Sequence, residues 1–451
     1  MKPSSQLSLK TTSAGPKFKD NSVFLLNLGC SKNQVDSENI LGELNSAGFQ
    51  RVLDPKEARL LIVNTCGFIQ DAKEESIAEV LSLATHKNKD QKLVVAGCLS
   101  ERYRAELIKE LPEVDAFYGV YKPGEIAQVE AGWMPTNCDT VQPRSFLHTQ
   151  EKHHAYLKIA EGCNRVCGFC AIPGMRGKQK SRGLPDIIRE CQSLQKAGVL
   201  EVSLIAQDLT FYGREKKGAP VLSDLLKTLL AETDIPWFRL MYAYPAYIDD
   251  ALLDILSQNN RLCKYLDMPI QHSHTDVLQR MRRGHTEKSL RSILGRIKEA
   301  VPQIALRTTV LVGYPGETEA EFKHLLNFVE EQKFDRLGGF TYSDEEGTYA
   351  FDELKAKRVS QKTSRKRLDE LMALQQSISY EKNQAYKGQT LKVLVDQAAP
   401  QGEAFDFLGR SEKDAPEVDN SILIQGDCAV GTFVDVTITE AHEFDLLGHI
   451  A

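Results

Sequence analysis

No stretch of this 451-residue chain approaches the roughly eighteen uninterrupted apolar residues that a membrane-spanning helix requires. The segment from Met1 to Asp20, rich in Ser, Thr and Lys, also lacks the apolar run and small-residue cleavage pattern of an export signal. It reads as a flexible tail on a soluble, cytoplasmic chain. A strong charge imbalance is missing too: 56 Lys and Arg against 62 Asp and Glu leave −6, which by itself points to no nucleic-acid partner. Apolar residues are not scarce at 42%, so disorder is not expected. What is plentiful is length, enough for about three domains, and cysteine. Ten cysteines without an export signal indicate metal or redox chemistry before a disulfide framework.

The first segment alternates buried-looking strands with helical patterns: VFLLNLGC, a helix from about Asp36 to Ala47, RLLIVNTC, a helix after Asp71, KLVVAGC, and a helix after Ser100. This is the βαβ signature of a parallel sheet. Each of the three strands ends at a cysteine, Cys30, Cys66 and Cys98. Ligands of open parallel sheets bind at the carboxyl ends of the strands, so three thiols far apart in sequence can meet there. A lone free cysteine is ordinarily a small buried hydrophobe, and that reading competes at each position.

From about Gly119 to His154 the pattern lapses into a connector. A second alternation follows through AYLKIAEGC, VLEVSLIAQD, WFRLMYAYP, KYLDMP, IALRTTVLVG and RLGGFTYS, with helices such as LPDIIRECQSLQKAG between them. Six β/α units fall short of the eight that close a full barrel, which predicts an open (β/α)6 partial barrel with its chemistry at the strand C-termini. A charged helix, roughly Ser360 to Lys387, leads out. The remaining segments LKVLVDQ, EAFDFLGR, NSILIQG, TFVDVTITE and FDLLGHI predict a small five-stranded OB-like barrel. Between Tyr380 and Ala451, five Lys or Arg stand against thirteen Asp or Glu, a net of −8, and the rest of the chain carries +2. An acidic face argues against phosphate binding and for a basic polypeptide partner. The expected division is a tail over 1–20, an N-terminal domain over 21–131, a core domain over 149–378 and a terminal module over 380–448.

Directly after the first strand of the second domain stands Cys163-Asn-Arg-Val-Cys167-Gly-Phe-Cys170. Three thiolates at C-x3-C-x2-C suit three corners of a [4Fe–4S] cube and leave one iron open. A structural zinc site would need a fourth protein ligand; His272 and His274 are possible donors but lie more than a hundred residues away. Other stretches carry weaker signals. Gly313-Tyr314-Pro315-Gly316-Glu317 follows a strand and opens a helix, either to approach a ligand with its backbone or as a plain turn. Gln207 and Asp208 end the second barrel strand, to meet a cofactor or to cap a loop. The basic run Arg176 to Arg182 reads as solvated surface or as a contact for an anionic group. Cys138, Cys191, Cys263 and Cys428 show no motif spacing, and Cys191 fits a helix core position.

The cysteine loop closely resembles that of the radical S-adenosylmethionine superfamily. That resemblance implies that S-adenosylmethionine chelates the open iron, that Phe169 lies near its adenine, and that one electron from the cluster cleaves the cofactor to a 5′-deoxyadenosyl radical. With LGCSKNQVDSE, NTCGF, AGCL, EGCNRVCGFCAIPGMRG and DAPEVDN taken together, the chain from about Asn21 onward is similar to the methylthiotransferase family. The similarity implies a flavodoxin-like N-terminal domain carrying a second [4Fe–4S] cluster on Cys30, Cys66 and Cys98, a radical domain with its cluster on Cys163, Cys167 and Cys170, and a terminal TRAM module that recognises the substrate. One S-adenosylmethionine would methylate a cluster-bound sulfur and another would make the radical, so that hydrogen abstraction from an unactivated C–H allows C–S bond formation. One branch of the family thiolates a tRNA adenosine; the other modifies the β-carbon of an aspartate in the twelfth protein of the small ribosomal subunit. VDSE, DMPIQHSH and DAPEVD resemble the ribosomal branch, with Asn420 departing from its usual Gly. The implied partners are that basic protein or the ribosome, an electron donor and a sulfur source, with nucleic acid met only indirectly. A non-catalytic iron–sulfur sensor is the alternative of another class.

Overall fold

The chain is described from a computed structural model that covers residues 21–132, 144–147 and 153–451. The expected tail before Asn21, Cys138 and part of the connector lie outside these residues. Two compact units are present, one built on residues up to 145 without 30–35 and 68–71, the other on those two stretches and everything from 146 onward.

The first sheet has five parallel strands, β1 (Ser22–Asn27), β2 (Gln50–Arg51), β3 (Leu60–Thr65), β4 (Lys92–Gly97) and β5 (Ala116–Phe117), in the order β2-β1-β3-β4-β5. This is the flavodoxin-like order, as the family resemblance implies. The apolar runs at its centre are buried on both faces, with every residue of β3 inaccessible, which is why they read as continuous apolar sequence and not as an alternation. Helices α1 (Ser31–Ser46), α2 (Gln70–His86) and α3 (Cys98–Glu110) cross between strands. The connector reading fails over part of its range, because Glu125–Ala131 forms a seven-residue helix, α4. It is framed by Gly124 and Gly132, both left-handed, and is anchored where buried Glu43 accepts from the Tyr121 hydroxyl at 2.7 Å and the Gly124 amide at 2.9 Å. A helix this short has too few residues for a periodic signal.

The larger unit holds six parallel strands, β6 (His154–Lys158), β7 (Glu201–Ile205), β8 (Trp237–Leu240), β9 (Leu262–Asp267), β10 (Ala305–Val312) and β11 (Arg336–Thr341), hydrogen-bonded in chain order. The sheet does not close, so the partial barrel expected from six β/α units is what forms. Helix α5 (Leu184–Lys196) is typical of its cover: Ile187, Cys191 and Leu194 recur at helical spacing and are buried in the main core. Cys191 is thus a core residue.

A long helix from Gln361 to Gln384, capped by the Ser360 hydroxyl on the Thr363 amide, leads to a closed five-stranded barrel. Its strands run Thr390–Ala398, Phe407–Ser411, Ile422–Gln425, Phe433–Ala441 and Leu446–Ile450. Its acids are not all on a solvent face. Asp396, Asp414 and Asp419 pair with Arg410, Arg336 and Arg307 at 2.8, 2.6 and 3.2 Å, the last two from the partial barrel. The Tyr265 hydroxyl also donates to Asp419. The DAPEVDN stretch is therefore an internal contact, while Glu403, Asp406, Asp427, Asp435 and Glu440 remain exposed. Among the described residues no helix is long and apolar enough to cross a membrane.

Candidate active site

The thiol loop begins where β6 ends. Gly162 precedes Cys163 at φ +77°, and a Cβ there would meet the Lys178 carbonyl at 2.4 Å, so only glycine lets the chain turn this closely. The Cys163 amide donates to the Gly177 carbonyl at 3.0 Å and the Cys170 amide to the Cys167 carbonyl at 3.1 Å, folding the three thiols onto one loop. Gly168 ties the loop outward, donating to the Met281 carbonyl at 2.8 Å and accepting from the Ala350 amide at 2.8 Å.

Burial pushes Cys170 up to about 12, and the nearby Cys167 and Cys163 push it in the same direction. Cys163 is raised to about 11, again chiefly by burial. Metal ligation is what makes thiolates favourable in such a pocket. The donor set suits a cluster: three thiols on one loop with no fourth cysteine beside them fit a cube with one iron left open, whereas a structural zinc ion needs a closed set of four ligands. Among the described residues, His274, Asp276 and Glu321 also bring three ligand atoms within 4.8 Å of one another. That other trio is already satisfied, because Arg280 donates to Glu321 at 2.8 Å.

Neighbouring strand ends supply polar groups. Glu161 accepts from Lys158 at 2.7 Å, Arg176 at 2.8 Å and the Gln207 amide at 3.1 Å. Burial opposes its charge, but the two cations overcome that and hold it at about 2. Gln207 keeps a buried side-chain oxygen with no partner, a free acceptor at the end of β7. Asp208 caps the following turn, accepting from the Phe211 amide, Thr210 and the Arg165 guanidinium at 2.8 Å. Phe169 is partly buried against the apolar cluster that Val277, Met281, Leu311, Tyr314, Ala350 and Leu354 form together. The Gly313 amide donates to Glu317, and a Cβ at Gly313 would strike the Ser364 hydroxyl at 2.0 Å, so the turn reading describes this glycine better than backbone contact with a ligand. Within the basic run, Arg176 is buried on Glu161 and Arg182 pairs with Glu190 at 2.6 Å; these two arginines are not solvated surface.

Sequence reasoning missed Arg165, Tyr244 and the segment Met281 to His285. Arg283 donates to the Cys167 sulfur at 3.4 Å, and Arg282 stacks on Tyr349 at 3.5 Å. No spacing rule links position 283 to a cysteine 116 residues earlier. Arg165 stood inside the C-x3-C motif, where its charge was a visible signal.

In the first sheet, Thr65 lies level with Gly97, so Cys66 and Cys98 follow directly from neighbouring strand ends. Cys30 comes three residues beyond Asn27, the end of β1 on the other side of β3. Two glycines permit the crowding: a Cβ at Gly67 would lie 2.8 Å from the Leu99 backbone, and one at Gly97, φ +97°, would lie 2.4 Å from Asn64. Cys98 is buried, Cys66 half-buried and its amide bound to Ser76, and Cys30 exposed.

A flavodoxin-like sheet, an open barrel with a three-thiol loop at its first strand end, and a small closed barrel together define a radical S-adenosylmethionine enzyme. Known families agree: residues 22–119 match the uncharacterized protein family UPF0004, 157–329 the radical SAM superfamily and 388–451 the TRAM domain. The ribosomal protein uS12 methylthiotransferase RimO of Anaeromyxobacter sp. (strain Fw109-5) is 45% identical over 95% of this chain and 93% of its own. Those of Myxococcus xanthus and Geobacter sulfurreducens are 41% and 42% identical, over 95% of this chain and 91% and 98% of theirs. Among solved structures, a radical S-adenosylmethionine methyltransferase, TsrM, from Kitasatospora setae aligns with TM-score 0.54 at 15% identity, over 74% of this chain and 77% of its own, which shows likeness of fold. The chain belongs to the RimO family of radical S-adenosylmethionine methylthiotransferases, whose cofactors are [4Fe–4S] clusters and S-adenosylmethionine.

Proposed function

We propose that the substrate is ribosomal protein uS12 and that a methylthio group is added to the β-carbon of one of its aspartates. Similarity to the uS12 methylthiotransferases across nearly the whole of both chains, terminal module included, carries this reading. In it, Cys163, Cys167 and Cys170 ligate the radical cluster and Cys30, Cys66 and Cys98 the auxiliary one. The bound cofactors would supply a carbon radical and a transferable sulfur.

The chain's own residues hold and shield that chemistry. Phe169 gives an apolar surface within the radical loop, Gln207 offers a free acceptor, and Arg176 and Lys158 keep Glu161 ionised next to it. Gly313 shapes the strand end where the β10 loop passes the site. The exposed acids of the terminal barrel suit a basic polypeptide, and nucleic acid is then met only indirectly. Turnover in the cytoplasm further requires a one-electron donor and a sulfur source. Reduced, reconstituted enzyme given S-adenosylmethionine and a uS12 peptide is expected to add about 46 Da, as SCH3 replaces H. Addition to a tRNA anticodon stem-loop and none to the peptide would overturn the assignment.

A further inference from the structure

Arg283 sits against the radical loop with its charge unspent. Its Nη1 donates to the Cys167 sulfur at 3.4 Å and its Nη2 to the Pro269 carbonyl at 2.7 Å. The guanidinium lies over the Tyr244 ring, 4.5 Å from the centroid, and the Tyr244 hydroxyl accepts from the Gly284 amide at 2.9 Å, fixing the chain one residue further on. Its Nε is buried without a partner. The contrast with Arg165 is informative. Arg165 also stacks on Tyr244, at 3.7 Å, but its guanidinium is paired with Asp208 at 2.8 Å, whereas no carboxylate pairs with Arg283 among the described residues. The fork is thus oriented by a carbonyl and a ring face, and its net positive charge is directed at one thiol.

We infer that Arg283 is a positioning residue that raises the reduction potential of the cluster held by Cys163, Cys167 and Cys170, through its N–H···S bond to Cys167. The inference rests on the reading of those three cysteines as cluster ligands. Reduction adds one electron to the cube and makes it more negative. Hydrogen bonds to ligand sulfurs and nearby cations stabilise that form, and the buried setting strengthens both effects. A lysine could keep the charge but not the planar fork that serves the sulfur and the Pro269 carbonyl together.

The test uses the full chain with Cys30, Cys66 and Cys98 changed to Ala, so that a single cluster titrates against a chemical reductant. At a fixed solution potential near the parent's midpoint, Arg283→Met is expected to lower the ratio of reduced to oxidised cluster about tenfold, equivalent to about 59 mV for one electron. Iron content should stay at the parent level. An unchanged ratio with iron retained would overturn the inference. If the variant fails to hold iron, protein carrying arginine labelled with 15N in the guanidinium decides the matter, since pulsed EPR of the reduced cluster should show a 15N coupling. Absence of that coupling overturns the contact with no variant involved. A parent that shows no cluster signal at all instead sinks the ligand assignment beneath it.

Discussion

Glu201 and Arg410, 209 residues apart, form a fully buried ion pair at 2.5 Å, and Arg239 approaches the same carboxylate from the other side at 2.7 Å. The pair joins the first residue of β7 to the terminal barrel, and Arg410 continues to Asp396, which His153 also contacts at 3.0 Å. Such a group has no water to fall back on, so the network holds only while each member is matched.

Removing the carboxylate leaves the buried Arg239 guanidinium without a carboxylate partner and Arg410 with Asp396 alone. Glu201→Ala is therefore expected to cost about 3–5 kcal/mol of unfolding free energy, measured by denaturant titration. A loss below about 1 kcal/mol, the worth of a surface pair, would contradict the burial assigned to it.

The same group sets an acid limit. Burial opposes its ionisation, yet Arg239 and Arg410 hold Glu201 at about 2, below the ordinary 4.5. A depressed carboxylate contributes stability that is present above its unfolded value and fades as pH falls toward the folded one. Stability should drop between about pH 4.5 and 2, and Glu201→Gln should flatten that part of the profile. An unchanged acid limb in the variant would assign the loss to other carboxylates.

The two cysteine trios should separate genetically. Cys66→Ala is expected to take anaerobically purified protein from about eight irons to about four while leaving 5′-deoxyadenosine formation largely intact and abolishing methylthio transfer. Cys167→Ala should stop both activities. Loss of deoxyadenosine formation in a folded Cys66→Ala protein would argue against distinct roles.

Gly97→Ala probes the crowded strand end before Cys98. Positive φ and the Asn64 oxygen 2.4 Å from the added carbon should destabilise the protein by about 1–3 kcal/mol and reduce the iron held by the first trio. Normal iron and normal thermal stability would show that the loop relaxes freely.

Much of this architecture was legible because its signals are local. Cys163, Cys167 and Cys170 fall within eight residues, and the apolar period that marks a strand or a helix is set within that one element. Helix α4 was missed because seven residues carry little periodicity. The acidic count of the terminal module was correct as a count, but Asp396, Asp414 and Asp419 are spent on arginines inside the larger unit, which composition cannot reveal.

The sequence by itself determined the class of chemistry and the three-part order of the fold, since thiol spacing and hydrophobic period are properties of neighbouring residues. Tertiary structure alone decided that Arg283 meets Cys167 and that Glu201 meets Arg410. Those contacts join strand ends and loops more than a hundred residues apart, and their partners are chosen by how the chain packs.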